Sequence, residues 1–278
     1  MTEISKKSNQ SLNDTSYYLL KYIAIIIMVA EHLDCIFSFS EETLYVLCML
    51  LRVPISIFAF ELVECFHHTK NKKKHLINLL ILAIISEPFF DLMIFSDTLG
   101  YQFCLEKFQH QNVIFTLLIA FIMLIGLNKD WKKIINSISE KINFKMLKNE
   151  KLNKILVVSI KAIIVLGSII LSKILKTDYN TNGIIFILFL EIAYSNEHKK
   201  IFQFYSFLFL VNSFNEIESI TIFLVFILIL IAEKNKNAEN KFEKINKIVT
   251  SKPSKIICRF FYPVHLLIIV LIKMCINF

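Results

Sequence analysis

The stretch LINLLILAIISEPFFDLMIF, residues 76 to 95, decides the fold class. It is almost wholly apolar and has about the 20-residue length that an α-helix needs to cross ~30 Å of hydrocarbon. Glu87 and Asp91 nevertheless sit inside it, four apart and therefore on one helical face. An ionisable group at mid-membrane depth costs roughly 2.5 to 3.5 kcal/mol or more unless it meets a partner or water. A span that carries two carboxylates on one face therefore belongs to a bundle with a polar interior.

Working outward, apolar runs of the same kind recur along the chain. The spans read from them are 17–37, 44–66, 76–95, 111–127, 155–175, 183–195, 201–212, 219–232 and 256–275. Of the 278 residues 55% are hydrophobic and 19% charged, an apolar excess too large for an ordinary soluble domain. The expected fold is an all-α polytopic transmembrane helix bundle of about nine spans (seven to ten), a single integral membrane domain over residues 1–278. With only four glycines, tight small-xxx-small crossings are not expected. A net charge of +8 raises nucleic acid as a partner, but the lysines lie in loops between apolar runs, so the bilayer is the expected partner and nucleic acid is not. With the amino terminus inside, 23 of the 31 Lys and Arg fall in cytoplasmic segments, 2 in external ones and 6 within spans. The polar tail 1–16 and the basic loops 128–154 and 233–255 are then cytoplasmic, and the external loops are acidic. The tail has no apolar core or cleavage site of a signal peptide, so the first span reads as a retained anchor.

Two cytoplasmic stretches have the spacing of helices lying in the interface: Trp131, Ile134, Ile135, Ile138 and Ile142, and Phe242, Ile245 and Ile248. Six cysteines show no metal-ligand spacing, and most read as packing residues; Cys35 and Cys48 stand near the outer ends of their spans, where a bridge is conceivable. No Walker loop, dinucleotide fingerprint or HExxH motif occurs, and no metal is expected.

The chemistry-bearing residues are those that a membrane should exclude. Glu31, His32 and Asp34 lie in the outer third of the first span, Arg52 in the outer half of the second, and Glu61 and Glu64 nearer the cytoplasm. Glu191 follows in the sixth span, and Arg259, Tyr262 and His265 recur at spacings of three in the last. Pro54, Pro88 and Pro263 stand beside these groups, and proline within a span frees a carbonyl that must find protein or water. Kinks and charges together point to a wet cavity, although internal ion pairs that only lock helices would also account for single carboxylates. His32 is the best base, because an imidazole titrates near neutral pH. Arg52 presents a fork of donors suited to an oxyanion, phosphate or carboxylate. Lys161, Lys173 and Lys273 can snorkel to an interface and carry no assigned chemistry.

The run LKYIAIIIMVAEHLDCIF, Leu20 to Phe37, resembles the first span of the TraX family of membrane acetyltransferases, where an acid followed by His ends an apolar stretch. RVPISIFAFELVECFHHT (Arg52 to Thr69), SEPFFDL (Ser86 to Leu92), NVIFTL (Asn112 to Leu117), TDYNTNG (Thr177 to Gly183) and FYPVHLL (Phe261 to Leu267) resemble that family's later motifs, in order. The chain departs from the family pattern at Glu31, where Asp is usual, at Cys65, where Gly is usual, and in the proline after Arg52, displaced by about two residues.

The resemblance implies acetyl-CoA as donor and the amino terminus of a pilin-like or other exported peptide as acceptor, in a bacterial cytoplasmic membrane. His32, Glu31 and Arg52 are then the catalytic candidates. Arg52 with Lys72, Lys73 and Lys74, beside His67, His68 and His75, would gather the donor's phosphates; ordinary positive-inside topology is the plainer account of those lysines. Asp34, Glu64, Glu87, Asp91, Asn112, Asp178, Tyr179, Tyr262 and His265 are the candidates for lining a polar cavity. The alternatives are an acetyltransferase of a cell-surface sugar and a non-catalytic assembly or transport protein.

The charge asymmetry generates a topological prediction. In a single-cysteine background, an impermeant thiol reagent added from outside should label Cys104 and leave a cysteine placed at Lys145 untouched. The reverse pattern would show the orientation to be inverted.

Overall fold

A computed structural model of the chain describes residues 15–37, 40, 42, 43, 52–99, 110–142, 149–212, 216–235 and 251–276. They form ten α-helices and a short 3-10 turn: α1 Thr15–His32, the turn Leu33–Cys35, α2 Val53–His68, α3 Lys72–Leu99, α4 Val113–Leu127, α5 Trp131–Ile142, α6 Glu150–Ile174, α7 Asn180–Tyr194, α8 Lys199–Asn212, α9 Glu216–Asn235 and α10 Lys252–Ile276. Among the described residues there is no strand, only an isolated parallel bridge between Gln111 and Thr177.

Every apolar run read from the sequence carries a helix, and the amphipathic stretch beginning at Trp131 is α5. By length and apolar composition, Lys72–Ser96, Glu150–Ile174 and Cys258–Ile276 can cross a membrane. Helices α4 and α5, bent by 55° at their junction, make a fourth crossing if they are taken as one. Among the described residues, helix length thus supports three to four crossings where apolar runs suggested nine. Residues 44–51, Cys48, Cys104, Lys145, the Cys35 side chain and the stretch containing Phe242, Ile245 and Ile248 lie outside what is described.

The core mixes branched aliphatics such as Ile55, Ile57, Ile184 and Ile187 with Phe66, Phe121 and Phe186, and a further set of aliphatics faces outward. Along α6, Val158, Ile163, Leu166, Ile170 and Ile174 are exposed, a continuous apolar face suited to acyl chains. The main core draws on α1, α2, α4, α7, α8 and α9, with Phe66 edge-on to Phe121 and Phe186 edge-on to Phe207. A second, smaller core joins α3 to α10 through Phe90, Met93, Leu266, Ile269 and Val270. Since lipid gives helices no hydrophobic drive to associate, close backbone approach matters. With few glycines, alanines supply it: Ala24, Ala59, Ala83, Ala120 and Ala193 are fully buried. Buried hydroxyls return to their own helix, as Ser56 does to the Arg52 carbonyl at 2.7 Å and Ser86 to that of Leu82 at 2.7 Å.

Pro54 occupies the first turn of α2, which starts at Val53, where the missing N–H has no partner within that helix. One sequence expectation is corrected. Lys273 does not snorkel: α10 packs against α3 there, the side chain is buried, and its Nζ donates to the Met93 carbonyl at 3.3 Å. Pro88 and Pro263 do lie inside helices.

Gly183 shows how tightly α7 sits. A Cβ on it would lie 2.8 Å from Thr116 Cγ2 and 2.9 Å from Tyr179 Cβ, whereas one on Gly167 would meet nothing within 4 Å. Gly183→Ala should therefore destabilise the protein by ~1–3 kcal/mol, the usual range for overpacking, and Gly167→Ala should be neutral. Thermal unfolding in detergent compares them; equal melting temperatures would refute the close fit.

Candidate functional site

Helices α2, α4, α7 and α9 end, and α8 begins, at one end of the bundle, where Glu64, Asn128, Glu191, Lys199 and Glu233 meet; this is the basic end. The opposite end gathers the carboxyl end of α1, the starts of α2, α4 and α7, and the middle of α10. There His32 Nδ1 lies 2.9 Å from His265 Nε2, with the rings nearly coplanar at 8°. His265 Nδ1 in turn lies 2.9 Å from the Phe261 carbonyl oxygen, one turn back on α10. A carbonyl only accepts, so the proton of His265 sits on Nδ1 and its Nε2 is a bare acceptor. That acceptor requires His32 to donate from Nδ1. The remaining nitrogen of this relay, His32 Nε2, therefore carries a lone pair.

Beside this pair, two connecting segments are stitched together. Asp178 N donates to the Gln111 carbonyl at 3.0 Å, and Gln111 N donates to that of Lys176 at 3.3 Å. Lys176 and Asn180 take positive φ values of 49° and 44°, the turn geometry that brings the segment back to α7. The stitching sets Asp178 and Tyr179 against Arg52, whose guanidinium hydrogen-bonds the Tyr179 phenol and lies 5.4 Å from the ring centroid. Glu31 and Asp178 both lie within electrostatic reach of that guanidinium. Burial raises the Asp178 carboxyl above the usual range, with His110 and Arg52 opposing. Burial, reinforced by Asp178 and Glu31, keeps the Tyr179 phenol protonated.

Asn112 locks α4 to α3. Its side chain caps α4 at Ile114 N, donates to the Ala83 carbonyl at 3.0 Å and donates to Glu87, which also accepts from Asn112 N at 3.0 Å. Glu87 Oε1, His110 Nδ1 and Thr177 Oγ1 are buried at this end with no protein hydrogen bond, positions that water or a polar ligand would satisfy. Tyr262 bridges the groups: it lies edge-on to His265 at 5.4 Å and within reach of Asp178, Glu87 and Tyr179.

The structure thus brings together His32, Glu31, Arg52, Glu87, Asn112, Asp178, Tyr179, Tyr262 and His265. Asp91 is buried on the same face of α3 as Glu87. Asp34 is exposed on the 3-10 turn. Glu64 belongs to the basic end, where Lys199 bridges it to Glu233 at 2.6 and 3.0 Å and His68 lies 3.5 Å away. His67 pairs with Glu191 at 2.8 Å and stacks on Tyr194. Lys73 and Lys74 are exposed, and Lys72 lies over the Phe66 ring at 3.7 Å.

A cavity of about 320 Å³ opens between α1, α2, α3, α4 and α10. It runs from Glu64, His68 and His75 at the basic end to Met28, Phe261 and Tyr262. The basic residues lining it are Lys21, His68, His75 and Arg259 rather than Lys72, Lys73 and Lys74. Lys21 pairs with Glu61 at 3.0 Å. His110 escaped the sequence reading; its one signal is its place two residues before the Asn112 cap.

The chain matches the profile of the TraX protein family over residues 16–273. It is also 35% identical over 112 residues to a protein of Dichelobacter nodosus described as a probable fimbrial assembly protein, FimC of serogroup H1. That match covers 40% of this chain and 46% of the relative, so the chain spans about half the length of the curated protein it resembles. No solved structure matches.

The relay makes a spectroscopic prediction. In histidine-labelled protein, the nitrogen shifts of His32 should report a proton on Nδ1. His265→Ala should restore the mixture of tautomers of a free imidazole, whereas His265→Gln, which can present a carbonyl oxygen, should preserve part of the Nδ1–H signal. An unchanged His32 spectrum in the alanine variant would break the relay.

Proposed function

The chain belongs to the TraX family, and from that premise we propose that it is a membrane-embedded acetyltransferase that moves an acetyl group from acetyl-CoA to the amino terminus of a pilin-like or other exported peptide. One observation carries the reading: the His32–His265–Phe261 chain leaves His32 Nε2 with a free lone pair, next in sequence to Glu31, which lies within electrostatic reach of Arg52. The fimbrial role in the relative's description, together with the family, supports a pilus-related acceptor. With the basic end in the cytoplasm of the cell that makes it, the donor enters there and the acceptor meets the histidine pair at the outer end of the bundle.

The acceptor's α-amine has an ordinary pKa near 7.7 to 8.0, so an imidazole suffices as base. As the amine nitrogen attacks the thioester carbonyl, His32 Nε2 takes its proton, and the tetrahedral oxyanion forms against Arg52. Collapse breaks the C–S bond, and the departing thiolate regains the proton from His32. His265 accepts the Nδ1–H bond throughout and stabilises the imidazolium. Transfer to a sugar hydroxyl would use the same groups; assembly without catalysis would use them only as a lock between helices.

In purified protein with labelled acetyl-CoA and an acceptor peptide, His32→Ala should lower transfer by about 100-fold or more at near-normal abundance in the membrane. Arg52→Lys should also be impaired, since lysine keeps the charge and loses the fork. Lys173→Ala, exposed on α6, should transfer normally. Full activity of the folded His32 variant would eliminate the base, and a wild type that acetylates no amine or hydroxyl would favour the assembly reading.

A further inference from the structure

Tyr18, Lys21, Ile25 and Met28 line the cavity at spacings of three and four, and the next residue on that stripe of α1 is His32. On α10, Cys258, Arg259, Phe261 and Tyr262 line it, and the next residue on their face is His265. Two of the five helices that wall the cavity, α1 and α10, therefore carry the histidine pair further along the same stripes. From Lys21 to His32 is about 16 Å along the helix axis at 1.5 Å per residue.

The wall is apolar in its middle, with Ile25, Leu62, Leu79 and Leu117, and charged towards the basic end, where Lys21, Glu61, Glu64 and Arg259 line it. Lys21 already has Glu61. Arg259 stands exposed at the mouth, close enough to bear electrostatically on His75, and among the described residues no carboxylate pairs with it. A guanidinium at the mouth of an apolar slot, with no carboxylate partner among the described residues, is the charge pattern for an anion joined to an uncharged chain.

We infer that this cavity is the donor channel: a phosphate group of the thioester is held at Arg259, and the uncharged arm runs between α1 and α10 so that the thioester reaches the His32–His265 pair. This rests on the acyl-transfer reading and gives it an entrance that the run of lysines from Lys72 to Lys74 does not line. An anionic lipid headgroup has the same phosphate chemistry, so the test separates the two sources.

The protein is reconstituted in phosphatidylcholine nanodiscs, and CoA binding is measured by calorimetry without acceptor. Arg259→Gln should weaken CoA binding about tenfold or more, the loss expected for a charge-assisted hydrogen bond. S-acetylpantetheine, which lacks phosphate, should be used as donor equally well by both proteins. Leu79→Trp, which fills the channel, should block both donors. Unchanged CoA affinity in the Arg259 variant would overturn the inference, as would transfer with an unaltered KM for acetyl-CoA. Loss of wild-type CoA binding when phosphatidylglycerol replaces phosphatidylcholine would assign the site to lipid and overturn it too. CoA binding that depends on Arg259, with no acetyl transferred to any acceptor, would uphold the channel while sinking the transferase.

Discussion

A backbone carbonyl can accept a proton and never give one, and the candidate site depends on that constraint at Phe261. It dictates the tautomer of His265, which dictates that of His32, which leaves one ring nitrogen of His32 as an acceptor. The carbonyl lies in a helix that Pro263 has already disturbed, since proline offers no N–H to the carbonyl four residues before it, that of Arg259. The same short segment thus supplies the orienting acceptor, the histidine and the arginine at the cavity mouth. The imidazole pair also connects α1, part of the main core, to α10, part of the smaller one.

The two ends of the bundle solve the problem of buried charge differently. At the basic end, Lys199 bridges the carboxylates of Glu64 and Glu233, with His68 also near Glu64, and His67 and the Asn128 amide satisfy Glu191. Burial alone would lower the Lys199 ammonium, but the two carboxylates outweigh it and raise it. At the histidine end the groups are less completely matched, and buried polar atoms of Glu87, His110 and Thr177 lack protein partners. A closed network suits a structural clasp; an incomplete one suits a place where something polar arrives.

Much of this was legible in the residues. Apolar runs located the helices, because length and hydropathy are local, and the cost of burying charge singled out Glu31, His32, Arg52, Glu87 and His265, while Asp178 came only from the resemblance. What periodicity cannot report is which helix faces which. The spacing Tyr262–His265 marked a face of α10 without naming His32 as its partner, and the bridge between Gln111 and Thr177 has no sequence signature that would place His110 near Asp178. Lys72, Lys73 and Lys74 drew attention as a cluster, yet the cavity is lined by Lys21 and Arg259, each isolated in an apolar run. Lys273 sat close enough to a helix end to suggest an escape to water, and only the packing of α3 showed that it turns inward.

The bond between His32 and His265 joins residues 233 positions apart in the chain. During synthesis, α1 is made long before α10 exists, so for most of translation the imidazole of His32 lacks the neighbour that fixes its proton. The nascent bundle must shelter that ring in water or against lipid headgroups until the final described helix docks. A ribosome that stalls or terminates ahead of Phe261 would leave a chain with most of its helices in place and an unsatisfied polar group in the membrane, a mark by which quality-control proteases could tell it from the finished protein.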